Sequence, residues 1–261
     1  MEPEIIHRCA KCGEPDVIRV KLLGNWFSTT ALCRCQKEAR EREEQEAARR
    51  AFQEEISRNR SVAFTDRTMR GFTFENDDGS NDSIKHIALR YAEKFRKIRK
   101  SGKGLLFFGA VGNGKTFFAG CIANYLIDRG YKVLFTNIYR LEGHMKHERD
   151  RDDYLDSLES YDLLIVDDFG TERDTEYMNE IVFQIIDARY RSGLPMIITS
   201  NITAEELGRP EDIKNQRIYS RILDRCIPIE FTGKDRRRDN LSGKARDFIE
   251  WLQGGENEDE N

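Results

Sequence analysis

The chain has 261 residues, enough for one large domain and a small companion. Lys and Arg total 43 against 47 Asp and Glu, a net charge of −4, which excludes the globally basic body of a strong duplex binder. No apolar run approaches the ~20 residues needed to span a membrane, and the opening MEPEIIHRCAKC has no apolar signal-peptide core. The expected setting is therefore cytoplasmic, without membrane contact.

In that compartment cysteines stay reduced, so clustered ones suggest metal before disulfides. Residues 1–35 form a cysteine-rich module. Cys9-x-x-Cys12 and Cys33-x-Cys35 offer four thiolates in two close pairs, the ligand supply of a tetrahedral structural Zn²⁺. So short a segment buries little core, and the metal would supply its folding energy. His7 is a possible substitute ligand; four free or buried Cys are the plain alternative. Cys121 and Cys226 read as packed side chains.

Residues 36–81 are expected to be a charged helix followed by a linker. The first part, 36–60, consists almost wholly of helix formers with interleaved charge, a solvated connector or a partner helix. The second, 61–81, runs into turn-forming DDGSND (77–82). From 82 to 240 helix and strand alternate. A helix near 84–98 places Ile84, Ile87, Ala88, Tyr91, Ala92, Phe95 and Ile98 on one face, with Asn81, Asp82 or Ser83 as its cap. Strand-length apolar runs follow at LLFFG (105–109), KVLFT (132–136), YDLLIVDD (161–168) and PMIITSN (195–201). Helices are expected near 115–128, 139–160 and 175–191. The fold class is α/β, a parallel sheet covered by helices on both faces. Residues 241–261 are expected to form a C-terminal helix and an acidic tail too polar to pack.

GAVGNGKT fits G-x-x-x-x-G-K-[ST] between an apolar strand and an amphipathic helix. The loop residues Gly109, Ala110, Val111, Gly112, Asn113 and Gly114, with Lys115, Thr116 and Phe117, are expected to bind ATP. Backbone N–H groups would face the phosphates at a helix N-terminus. Lys115 should reach the β- and γ-phosphates and Thr116 the Mg²⁺. About fifty residues on, Asp167 and Asp168 end a buried strand. Asp167 should hold the metal through water, and Asp168 should polarise the attacking water. Asn201, at the end of the next strand, can reach a γ-phosphate or its water.

The order of these motifs, followed by an Arg cluster, resembles the AAA+ P-loop ATPases. Within them, FTFEN (72–76), GLLFFGAVGNGKTFFA (104–119), DLLIVDDFGTE (162–172), IITSN (197–201) and SRILDR (220–225) resemble the DnaC/DnaI group of replicative helicase loaders and the related IstB transposition helpers. Asp-Asp in the second motif, where most AAA+ proteins carry Asp-Glu, is common in this group. The resemblance implies that Asn201 is the sensor-1 residue. It makes Arg225 the arginine finger entering a neighbour's ATP site, with Arg221 the competing candidate. Arg237 would act on phosphate within the subunit. Too few residues follow Arg238 for a separate helical lid, and loaders also lack one. The implied function is loading of a hexameric replicative helicase onto single-stranded DNA, with self-association through a shared ATP site and slow hydrolysis. A transposition helper is the alternative, and an adaptor that binds ATP without hydrolysing it a third reading.

The stretch 139–153, with His144, Lys146, His147, Arg149 and Arg151, is the expected single-strand contact, and Tyr139 and Tyr154 are available for stacking. RRR at 236–238 is a second local basic site.

Overall fold

A computed structural model describes residues 4–22, 24–64, 66–145, 148–172, 175–208, 213–233, 235, 246 and 248–252. The chain forms two compact units, Met1–Glu55 and Ile56–Asn261. The boundary falls inside one helix, α1 (Arg34–Ala63).

The first unit opens with three strands that no sequence pattern announced. β1 (Glu4–Arg8), β2 (Pro15–Leu22) and β3 (Asn25–Thr30) pair antiparallel in the order β1-β2-β3. Helix α1 then starts two residues before the expected helix and ends three beyond it. Its interleaved charges neutralise one another along the helix, as in Arg40–Glu44 at 2.8 Å and Arg50–Glu46 at 3.2 Å. Each exposed pair contributes only about 0.3–0.5 kcal/mol.

The second unit holds the parallel sheet. Its strands are β4 (Gly104–Phe108), β5 (Val133–Asn137), β6 (Leu163–Phe169), β7 (Met196–Ser200) and β8 (Cys226–Glu230), in the order β5-β6-β7-β4-β8. Alternate residues of each strand feed two apolar layers: Leu105 and Phe107 pack on one side, Leu106 and Phe108 on the other. That is why the strands read as unbroken apolar runs. β8, absent from the expected elements, pairs with β4 at the sheet edge, where Pro228 is tolerated.

Helices α2 (Asp82–Glu93), α3 (Phe95–Ser101), α4 (Lys115–Ile127), α5 (Ile138–His144), α6 (Glu148–Ser157), α7 (Glu176–Ser192), α8 (Ala204–Gly208) and α9 (Ile213–Arg225) complete the unit. The helix expected at 84–98 is two helices broken at Lys94. The Asn81 side chain caps the first, accepting from the Ile84 N–H at 3.3 Å. The one expected at 139–160 is α5, α6 and a 3₁₀ turn at Leu158–Ser160.

Residues 61–81, expected as a linker, contribute side chains to the core. Ala63, Phe64 and Phe74 are buried in the core. The Asn124 amide on α4 donates to the carbonyls of Met69 and Phe72 at 2.9 and 3.0 Å, fastening the segment. A second polar tie lies under the sheet. Arg189 on α7, 1% exposed, donates to the carbonyls of Leu158, Tyr161, Asp162 and Pro195 at 2.8–3.2 Å. Burial lowers its pKa to about 10, so the guanidinium stays charged at neutral pH. Among the described residues no helix is long and apolar enough to cross a membrane.

Candidate functional site

In a parallel sheet, the loops leaving the strand carboxyl ends converge on one edge. Here the loop after β4, the end of β6 and the end of β7 are neighbours in the order β6-β7-β4. The motifs scattered over some ninety residues of sequence therefore meet there.

The loop from Gly109 to Gly114 wraps the start of α4. Gly109, Gly112 and Gly114 adopt φ of 126°, 80° and 98°, which residues with a Cβ rarely enter. A side chain at Gly109 would also collide with the Phe231 carbonyl and one at Gly112 with the Asp235 carboxylate, so the wrap is closed on both sides. Asn113, 3% exposed, donates to the Phe231 carbonyl at 2.5 Å and anchors the loop to the segment after β8. Val111 projects outward, and Phe117 packs against Phe72 with ring centroids 5.3 Å apart. Lys115 is 5% exposed; its Nζ donates to the Gly109 and Ala110 carbonyls at 2.8 and 2.6 Å and to Asn113 Oδ1 at 3.2 Å. The ammonium is thus buried inside the turn that would cradle a phosphate.

Thr116, in the first turn of α4, donates from Oγ1 to Asp167 Oδ1 at 2.9 Å. Burial pushes the Asp167 carboxyl above its ordinary value. The Thr199 hydroxyl partly offsets this, and the negative charge of Asp168 adds to it. A divalent cation beside Thr116 and Asp167 would reverse that penalty, so hydroxyl and carboxylate fit Mg²⁺ chemistry.

Thr199 on β7 has no role assigned by the sequence motifs, unlike Asn201 two residues on. Fully buried, its hydroxyl donates to Asp167 Oδ1 at 2.6 Å and accepts the Asp168 N–H at 3.0 Å. It thus fixes both acids at once. Asp168 itself has φ 52°, the only positive φ outside glycine among the described residues. Thr199→Val is expected to lower magnesium-dependent turnover about 10–100-fold, while Thr199→Ser retains it. Equal turnover in the Val variant would remove the role. Only period-two placement of a hydroxyl on a buried strand could have signalled it.

Asn201 follows β7 directly and reaches this edge by topology. Arg225 and Arg221 lie on one face of α9 and are both held against α7. Arg225 donates to the Tyr190 carbonyl at 3.2 Å, its guanidinium 4.8 Å from the Tyr190 ring. Arg221 donates to Asp187 at 2.8 Å and lies over Phe183. Arg237, the triplet 236–238, Lys146 and His147 lie outside the described residues, as does the Arg149 side chain. Of the expected stacking residues, Tyr154 packs on His144 with centroids 4.8 Å apart, and Tyr139 donates its hydroxyl to the Thr171 carbonyl at 3.1 Å.

The sequence profile of the family described as IstB-like ATP binding protein matches residues 39–240. The chain belongs to that family. It is 28% identical over 184 residues to the replicative helicase loader DnaI of Bacillus subtilis, covering 64% of this chain and 58% of DnaI. It is also 28% identical over 163 residues to the replicative helicase loader DnaC of Escherichia coli, covering 60% of this chain and 64% of DnaC. The chain thus spans under two thirds of the curated relatives it matches. Among solved structures, that of DnaI superposes with a TM-score of 0.56 at 30% identity, covering 69% of this chain and 99% of that one. AMPPCP-bound DnaA from Aquifex aeolicus shares the fold at a TM-score of 0.51 and 20% identity, over 68% of this chain and 56% of that one.

The IstB-like match leaves the cysteine strands outside it. There Cys9, Cys12, Cys33 and Cys35 come together, their four Sγ atoms within 4.8 Å of one another. Cys9–Cys35 and Cys33–Cys35 are 3.5 and 3.3 Å apart. A tetrahedron with Zn–S near 2.3 Å has edges of about 3.8 Å, so the donor set fits zinc. The Cys12 and Lys11 backbone amides lower the Cys9 thiol to about 6, whereas the neighbouring Cys33 and Cys9 sulfurs raise Cys35 to about 12. Four thiolates so close need a cation among them. His7 does not join the cluster; its Nδ1 lies 2.5 Å from Asp16.

Proposed function

We propose that this chain is an ATP-dependent loader that places a hexameric replicative helicase on single-stranded DNA. The reading rests on the likeness to DnaI across nearly all of its solved chain, together with the Lys115–Thr116–Asp167 cluster at the sheet edge. The loop amides from Gly109 to Phe117 bind the phosphates of ATP, and Lys115 exchanges its loop carbonyls for β- and γ-phosphate oxygens. Thr116 and Asp167 hold the magnesium, which when bound neutralises charge on the phosphates. Asp168 orients and deprotonates the attacking water, and Asn201 fixes that water or the γ-phosphate.

Arg225 leaves the Tyr190 carbonyl and enters the ATP site of the next subunit, so ATP holds subunits together and its loss releases them. Arg237 acts within its own subunit. The first unit carries zinc on Cys9, Cys12, Cys33 and Cys35 and grips the helicase. The setting is cytoplasmic.

A chelator is expected to strip a single zinc per chain and abolish the unfolding transition of the first unit, leaving that of the second in place. A protein that holds no zinc yet keeps both transitions would overturn the metal assignment.

The decisive test is capture of a hexameric replicative helicase by the tagged, ATP-bound chain, alongside capture of a transposase. Transposase in place of helicase would make the chain a transposition helper, the reading its IstB-like family keeps open. For the shared site, Arg225→Ala and Lys115→Ala should each be inactive alone. Mixed, they should recover turnover at the interface pairing an intact Lys115 with an intact Arg225. No recovery in mixtures shown to co-assemble rules out a finger in trans.

A further inference from the structure

Strand alternation divides the three-stranded sheet of the first unit into two unlike faces. Ile5 pairs with Ile18 and Val20 with Phe27, which makes one face apolar. On the other, Lys21 pairs with Trp26 and Arg19 with Ser28. The Arg19 guanidinium lies 5.7 Å and the Lys21 ammonium 5.9 Å from the centre of the Trp26 ring, and Trp26 is 44% exposed. Among the described residues neither cation has an ion-pair partner. This contrasts with α1, where arginines pair with glutamates one turn away. Glu4, the register neighbour of Arg19, makes no ion pair with it, and Asp16 is engaged by His7 at 2.5 Å.

We propose that this face is a binding site for single-stranded nucleic acid, with Trp26 stacking a base and Arg19 and Lys21 taking the flanking phosphates. A half-exposed indole with two unneutralised cations beside it matches an unpaired base and its adjoining phosphates. A protein partner is served better by the opposite face, where Val20 and Phe27 carry no charge. The chain as a whole is acidic, so this local pair of cations cannot be a by-product of a basic composition. In the 139–154 stretch of the second unit, by contrast, Tyr154 and Tyr139 are already engaged within the fold. The Trp26 site requires neither ATP turnover nor helicase capture.

The chain has two tryptophans, so Trp251→Phe leaves Trp26 as the sole indole reporter in the full-length protein. Adding single-stranded oligothymidylate at low salt should quench its emission, salt should reverse the quenching, and a duplex should not cause it. Trp26→Ala should weaken oligonucleotide affinity about tenfold, while Trp26→Phe should keep most of it. Arg19→Ala with Lys21→Ala should reduce the slope of log K against log salt by about 1.4. This double variant, checked for unchanged metal content, guards against misfolding of Trp26→Ala. An unquenched Trp26, or a double variant with the parent's affinity and salt slope, overturns the proposal. So does a Trp26→Ala protein that binds oligonucleotide normally but no longer captures the helicase, because the face would then dock protein.

Discussion

Lys115→Ala should abolish magnesium-dependent ATP turnover, with a loss of at least about 10²–10³-fold. The side chain is 5% exposed, and its ammonium donates to three oxygens of its own loop, the place a triphosphate would occupy. The same variant should lose nucleotide-induced stabilisation. For the parent, ATP at about 100 times its Kd should stabilise the second unit by about 2.7 kcal/mol, read as a rise in Tm. In Lys115→Ala that rise, measured against the variant's own unliganded Tm, should vanish. A variant that is still stabilised by ATP and hydrolyses it at the parent rate would show that the turn around Lys115 does not hold the triphosphate.

The largest effect on folding is expected at Arg189. Its guanidinium gathers four backbone carbonyls from the segments that lead into β6 and β7. Arg189→Met keeps much of the volume and leaves those carbonyls without their donor. Buried acceptors left unmade cost about 1–3 kcal/mol each, softened by relaxation. A total near 3–4 kcal/mol is expected, or roughly 10 °C in Tm for a unit of this size. Arg189→Lys, a point charge without the fork, should recover only part. A shift below about 2 °C in Arg189→Met would mean that water replaces the guanidinium without penalty.

The two outcomes differ in how visible their causes are in the sequence. Lys115 sits in a local motif whose spacing is imposed by phosphate geometry, so strand, loop and helix can be read together. Asp167 ends an apolar run, and the loss of hydrophobicity there marks the strand's carboxyl end. Arg189, by contrast, lies in EYMNEIVFQIIDARYRS like any surface cation; only the crossing of Leu158, Tyr161 and Pro195 over it makes it internal. Thr199 is equally silent, because its partners Asp167 and Asp168 are some thirty residues away.

The strands β1 to β3 escaped because Thr29 and Asn25 interrupt the apolar face, and Val17 and Trp26 the cationic one, which blurs the period-two signal. β8 escaped because Pro228 interrupts it. The 61–81 segment looked like a linker on composition, yet Phe64 and Phe74, with the Asn124 hydrogen bonds, seat it in the core. Sparse aromatic anchors in a polar stretch outweigh its average.

The left-handed backbone at Asp168 bears on how fast such an enzyme could be made. Aspartate and asparagine tolerate that region because a short polar side chain satisfies itself locally; a longer residue there gives up about 1–2 kcal/mol. Thr199 holds the peptide in place from beneath, so the main chain cannot simply relax. Lengthening the acid by a methylene, the obvious retrofit toward a quicker ATPase, would set side-chain reach against main-chain torsion. The second carboxylate's brevity is therefore matched to the bend beneath it, and a faster homologue would need both to change together.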